Sequence, residues 1–149
     1  MRWRIVKWLT IKATDFSNIL LRKRNWKYSE TDYRKMPENS LGNKLIQYMD
    51  QNNIPFKPNL VRHDLKHIIL GYGMNMPDEL RIHSFLIGNR CYNPMAIAYL
   101  IICVCIVPEI IPTLKKDFKS GRKSKCLREI NLENYLKEDL IYCQKLLIK

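Results

Sequence analysis

Apolar side chains return every three or four residues along most of this chain, and prolines break the pattern more often than glycines do. Ile5, Trp8, Leu9, Lys12, Phe16, Ile19 and Leu20 follow that spacing with Arg and Lys between them, which predicts a first helix from Arg2 to about Arg22 whose stripe faces a core. The stretch 25–39 is polar, aromatic and unpatterned. Ser40 then caps a helix with Leu41, Leu45, Ile46 and Met49 on one face. Pro55 and Pro58 force extended geometry on their predecessors and break the run. A third helix is expected from Leu60 to Leu70, capped by Asn59 and stopped by Gly71 in the left-handed conformation. After a tight connection, Pro77 suits the first position of a fourth helix that continues to about Gly88. Asn93-Pro94 opens a fifth, Met95 to Val107, without a charged residue. A sixth runs to Ser120, 121–125 is a basic loop, and Asn131 caps a last helix lined by Leu132, Leu136, Leu140, Cys143 and Leu147. No Asn-Gly or similar hairpin signal joins two alternating apolar runs. The expectation is an all-α fold, a single compact multi-helix domain over residues 1–149.

Lys and Arg outnumber Asp and Glu by 26 to 14, a net charge of +12, so the surface attracts polyanions: nucleic acid, anionic lipid headgroups or phosphorylated molecules. Residues 2–27 hold eight basic side chains against Asp15, and 115–128 hold seven against Asp117. Solvated helix faces explain such runs equally well. Five cysteines without C-x-x-C spacing, and no secretory cleavage pattern, fit a reducing compartment. The basic amphipathic start resembles a mitochondrial transit peptide, but it reads better as a structural helix, because its removal leaves too little chain.

All three histidines, His63, His67 and His83, fall in one 21-residue window that also holds Asp64, Asp78 and Glu79. On a helix His63 and His67 lie about 40° apart and Asp64 falls in the same arc of about 100°. The helix ends within a turn of His67, Gly71-Tyr72-Gly73 reverses the chain, and Glu79 begins the returning helix. Two antiparallel helices thus supply four converging ligand-type groups, as metal sites in bundles do. Singly, each residue has a plainer explanation, a hydrogen-bonded core histidine or a glutamate at a helix N-terminus; the joint pattern favours a metal. His83, four residues after Glu79, is either a fifth ligand or a residue that orients Glu79.

His63-Asp64-Leu65-Lys66-His67, eleven residues, then Glu79 resembles the HDxxH…E signature of the ubiquinone (coenzyme Q) biosynthesis protein four family. Arg62, Leu70-Gly71-Tyr72-Gly73, Leu80, Phe85 and Phe118-Lys119-Ser120-Gly121-Arg122 extend the likeness from about Leu41 to the C-terminus. Asp78 stands where the family usually has a small residue, and the N-terminal part is short and divergent. The resemblance implies an all-helical, membrane-associated protein of quinone biosynthesis that binds zinc through His63, Asp64, His67 and Glu79, which double as its catalytic residues. It also implies that the protein takes a polyprenylated ring intermediate, either removing the ring carboxylate with hydroxylation at that carbon or presenting the ring to a biosynthetic complex. Other quinone-biosynthesis proteins, an anionic membrane surface and a second copy in a homodimer are the partners it implies. The place is the cytoplasmic membrane surface in a bacterium, or the matrix side of the mitochondrial inner membrane in a eukaryote. Two imidazoles with carboxylates also suit iron or manganese.

Three other functions compete. A lipid-binding scaffold with a purely structural metal needs only that the four side chains close the coordination sphere. An HD-type metal-dependent phosphohydrolase also uses a His-Asp doublet, but it needs a further histidine upstream, and none precedes His63. A nucleic-acid module has the charge in its favour but no recognisable motif, so no nucleic-acid partner is expected. The uncharged run Met95 to Val107 is too short to span a bilayer, which takes about 20 helical residues; it suits a cavity for an isoprenoid chain or a buried central helix.

Imidazole must be neutral to ligate a metal, and a carboxylate ionised, so metal affinity should fall as pH is lowered through about 6 to 7, the usual range of the free imidazole. Zinc titration at stepped pH measures this; affinity unchanged down to pH 5 would exclude histidine ligation.

Overall fold

The computed structural model describes residues 1–20, 27–92 and 94–148, apart from the side chains of 14–20, 147 and 148. The described chain is all-α. Its helices are α1 (Arg2–Leu20), α2 (Glu30–Arg34), α3 (Leu41–Gln51), α4 (Val61–Leu70), α5 (Met76–Gly88), α6 (Pro94–Ile106), α7 (Ile111–Lys123) and α8 (Leu140–Ile148), with 3-10 turns at Pro108–Ile110 and Leu132–Tyr135. No strand occurs among the described residues; the isolated bridge Ser40–Asp139 is the one trace of extended pairing. No single helix among them is long and apolar enough to cross a membrane. The expected helix end near Arg22 and the opening residue Asn93 lie outside the described residues, as do the side chains of Phe16, Ile19, Leu20 and Leu147.

Contacts divide the helices into two compact units. The first contains α1, α5, α6 and α7. Its core is built from Val6, Leu80, Cys103, Val107, Ile110 and Leu114, with Trp3, Met76, Tyr99, Leu100 and Val104 packed around them. The pairing of α5 with α7 dominates it, and two glycines make that pairing close. A Cβ on Gly88 would run into the Phe118 carbonyl oxygen, and a Cβ on Gly121 into that of Phe85. Gly121 is therefore buried inside a helix that continues to Lys123, where the sequence had predicted a loop. Its missing side chain is needed for contact between backbones, not for a turn.

Polar groups stitch the same two helices. The buried Ser84 hydroxyl donates to the Leu114 carbonyl at 2.7 Å. The Asn89 amide donates to the carbonyls of Gly121 at 3.1 Å and Lys125 at 2.7 Å, and its oxygen accepts from the Leu127 amide at 2.8 Å. These bonds satisfy carbonyls that the end of α7 leaves open. Helix α1 does not bury its expected stripe. Val6 is buried, with Trp3 and Thr10 half-buried, whereas Ile5 and Trp8 are exposed. Apolar residues occupy both sides of this helix, so periodicity alone left its orientation open.

The second unit contains α2, α3, α4 and α8. Ser40 caps α3 by accepting from the Asn43 amide at 3.3 Å, and Leu41, Leu45, Ile46 and Met49 are buried as their spacing predicts. Before it, Ser29 and Asp32 form a reciprocal capping box for α2, which turns the fully buried Tyr33 toward Tyr28 and Phe56, with ring centroids 6.3 and 5.6 Å away. The last segment departs from expectation. Asn131 caps only a 3-10 turn, and α8 starts afresh behind Asp139, whose carboxylate accepts from the Ile141 and Tyr142 amides. The intervening backbone serves α3 instead: the amides of Leu41 and Gly42 donate to the carbonyls of Glu138 and Leu136, each at 2.9 Å. A helix through 136–139 would use those carbonyls internally and leave the start of α3 bare.

Gly88→Ala and Gly121→Ala each gain up to about 1 kcal/mol of helix propensity. Each also pushes a methyl group into a backbone carbonyl, at a cost near the upper end of the usual overpacking range, about 3 kcal/mol. Steric cost wins, and the melting temperature should drop by about 4–8 °C for either variant. A thermal melt that is unchanged or raised would show that the two backbones do not touch.

Candidate metal centre

Helix α4 owes its orientation to Val61, Leu65 and Ile69, all fully buried in the second unit. This spacing of four residues leaves His63 and His67 on the opposite side of the helix, with Asp64 between the two faces. Gly71, at φ 71°, ends the helix as predicted, its amide donating back to the Ile68 carbonyl. The start differs by one residue: Leu60 occupies the cap position and contributes no side-chain bond, and Asn59 does not cap. The rings of His63 and His67 meet edge to face with centroids 4.7 Å apart. His63 Nδ1 lies 3.4 Å from Asp64 Oδ1, a long contact. His67 is fully buried, while the side chains of His63 and Asp64 are 32% and 13% exposed. Three of the four predicted ligands thus share one end of one helix face.

The fourth, Glu79, belongs to α5 in the first unit, where it is half-buried one turn before His83. Asn75 caps this helix, its side-chain oxygen accepting from the Asp78 amide at 3.0 Å, so the helix begins at Met76 and Pro77 is its second residue. Asp78, the departure from the family pattern, has a structural task. Its carboxylate accepts from the Gly73 amide at 3.2 Å, Asn75 Nδ2 at 2.9 Å and Arg81 Nη1 at 2.9 Å.

Two interactions that the sequence did not reveal hold α5 in place. Arg81 stacks on the Tyr72 ring, 4.9 Å from its centroid, and donates from Nε to the buried Asp117 at 3.0 Å, while the Tyr72 hydroxyl donates to Asp117 at 2.9 Å. Hydrogen bonding to Asp117 raises the pKa of Arg81; burial first, and then Asp117, push the Tyr72 phenol up. The signal available in the sequence was Asp117 itself, a lone acid in a basic run. On the other side the His83 ring meets Tyr99 of α6 edge to face at 5.3 Å. The Tyr99 hydroxyl lies 2.6 Å from Thr10 Oγ1, and because Thr10 already donates to the Val6 carbonyl at 2.8 Å, Tyr99 is the donor. Burial is the main reason the Tyr99 phenol is pushed up, with the Glu79 charge adding to it. Cys103, fully buried nearby, is raised by burial as well, which makes it an inert thiol.

The donor set suits a divalent ion. Imidazole nitrogens and carboxylate oxygens are the ligands of zinc, iron and manganese sites, and both kinds stand partly shielded from solvent on short, well-anchored helices.

No family model and no curated protein matches the sequence. Among solved structures, the chain is similar to a "putative ubiquinone biosynthesis protein" of Nostoc punctiforme, with a TM-score of 0.66 at 14% identity over 99% of this chain and 81% of that one. At that identity the likeness shows the fold alone: this chain shares its helical fold with the Nostoc protein.

Proposed function

We propose that the protein binds one divalent metal ion, with zinc the first candidate, through His63, Asp64, His67 and Glu79, and acts on or presents a polyprenylated ring intermediate of quinone biosynthesis at a membrane surface. The observation that carries this reading is the face of α4, where two imidazole rings and a carboxylate meet at helical spacing. The HDxxH-x11-E spacing and the fold shared with the Nostoc protein support it.

Each side chain has a distinct part. Asp64 beside Nδ1 of His63 favours the proton on that nitrogen, which leaves Nε2 as the ligand atom; the second Asp64 oxygen remains for the ion. Burial of His67 restricts its ring to few orientations and lowers the entropy lost on binding. Glu79 neutralises charge, and His83, held by Tyr99, is one turn away as a further nitrogen. A bound ion with an open position supplies Lewis acidity toward a ring oxygen or carboxylate.

His63 and Glu79 are half-buried, so the variant His63→Ala with Glu79→Ala removes two ligands without emptying a core. Metal analysis should find about one equivalent in the purified wild type and little in the double variant, with the same helix content by circular dichroism. His67→Ala alone should weaken affinity by about 10-fold or more. Full metal content in the double variant would refute the assignment. Mass spectrometry of lipid extracted from the native protein should find a prenylated molecule, and its consistent absence would count against the substrate.

A further inference from the structure

Helix α6 has two apolar faces, and only one of them is used. Tyr99, Leu100, Cys103 and Val104 turn into the core of the first unit. Pro94, Met95, Ala98, Ile101, Ile102 and Cys105 are all exposed, Ile101 at 59% and Ile102 at 50%. Their spacing of one, three, three, one and three residues makes them a single stripe along the whole helix, about 20 Å long, and none carries a charge or a hydrogen-bonding group able to hold water well. Ten large apolar side chains are left exposed among the described residues, and eight belong to residues 1–11 and 92–102. Soluble surfaces rarely leave so much apolar area together without a partner.

The helix packed beside α6 indicates what that partner is. On α1, Trp8 points about 160° away from the buried Val6 and is 57% exposed, with Ile5 and Ile11 to either side. Arg4, Lys7 and Lys12 stand exposed among them, and no acid occurs before Asp15. A tryptophan ringed by cations, next to a stripe with no polar atoms, matches the layering of a lipid interface: phosphate at the basic residues, the indole at headgroup level, and the aliphatic stripe among acyl chains. A second copy meeting this face about a two-fold axis would bring the same cations toward one another. At about 20 Å, α6 by itself is also shorter than the roughly 30 Å hydrocarbon layer, which suits a helix lying along the interface.

We infer that the outer faces of α1 and α6 form the membrane-docking surface of this protein, with α6 immersed to the depth of Ile101 and Ile102 in an anionic bilayer and α1 seated on its headgroups. The inference rests on the membrane part of the proposed function and uses none of the proposed ligands, so its test leaves the metal reading untouched.

The test uses the full-length protein and phosphatidylcholine vesicles with and without phosphatidylglycerol. The wild type should co-sediment with the anionic vesicles, less so as salt rises, and show a blue-shifted tryptophan emission that brominated lipid quenches and Trp8→Phe removes. Ile101→Ser with Ile102→Ser should weaken binding by about 10-fold or more, with unchanged helix content, melting temperature and metal content. Lys7→Glu with Lys12→Glu, on exposed positions, should remove the salt-sensitive part and serves as a second variant should the serine pair disturb folding. The inference is overturned if the wild type ignores anionic vesicles at low salt, or if both folded double variants bind as it does. Light scattering that shows a wild-type dimer reduced to monomer by the serine pair also overturns it, by assigning the face to a second copy.

Discussion

Gly88 and Gly121 bring the backbones of α5 and α7 into contact, and much of the first unit follows from that approach. With no side chain between them, α5 is held along its length by Ser84, Asn89 and the Arg81–Asp117 pair, each bonding to α7 or to the chain that leaves it. A helix so fixed carries Glu79 and His83 on a rigid support, which is what the proposed metal site would need: ligands held in place before binding lose little entropy when an ion arrives. Asp117 matters most among the polar anchors, because it is buried and answers two partners at once. Losing it would strand a guanidinium and a phenol, a costlier change than never having placed them there.

Local rules were enough wherever one residue decides a local outcome. Ser40 and the four apolar residues behind it specify α3 completely, and Gly71 ends α4 because glycine adopts positive φ without strain. The rule fails at α8 because a competitor from far along the chain, the bare amides of Leu41 and Gly42, claims the carbonyls that a longer helix needs. It fails at Gly121 for a similar reason, since close packing and loop formation leave the same mark in a sequence. The orientation of α1 was illegible because both of its sides are apolar, and the second apolar side acquires a meaning only beside the exposed stripe of α6.

The site was legible to a different degree. His63, Asp64 and His67 could be placed on one face by helical geometry, and the structure has them there with the two rings in contact. The capping task of Asp78, whose carboxylate accepts from Gly73, Asn75 and Arg81, was hidden; sequence alone treats it and Glu79 alike. Tyr99 and Thr10 could not be anticipated. Their bond joins residues 89 positions apart, and it steadies the ring against which His83 rests.

X-ray absorption at the metal edge of the purified protein would read the ligand atoms themselves. Two histidine nitrogens and carboxylate oxygens predict nearest scatterers at about 2.0–2.2 Å with the more distant scattering pattern of imidazole. A shell at about 2.3 Å from sulfur, or oxygen alone with no imidazole signature, would contradict a centre built on His63, Asp64, His67 and Glu79.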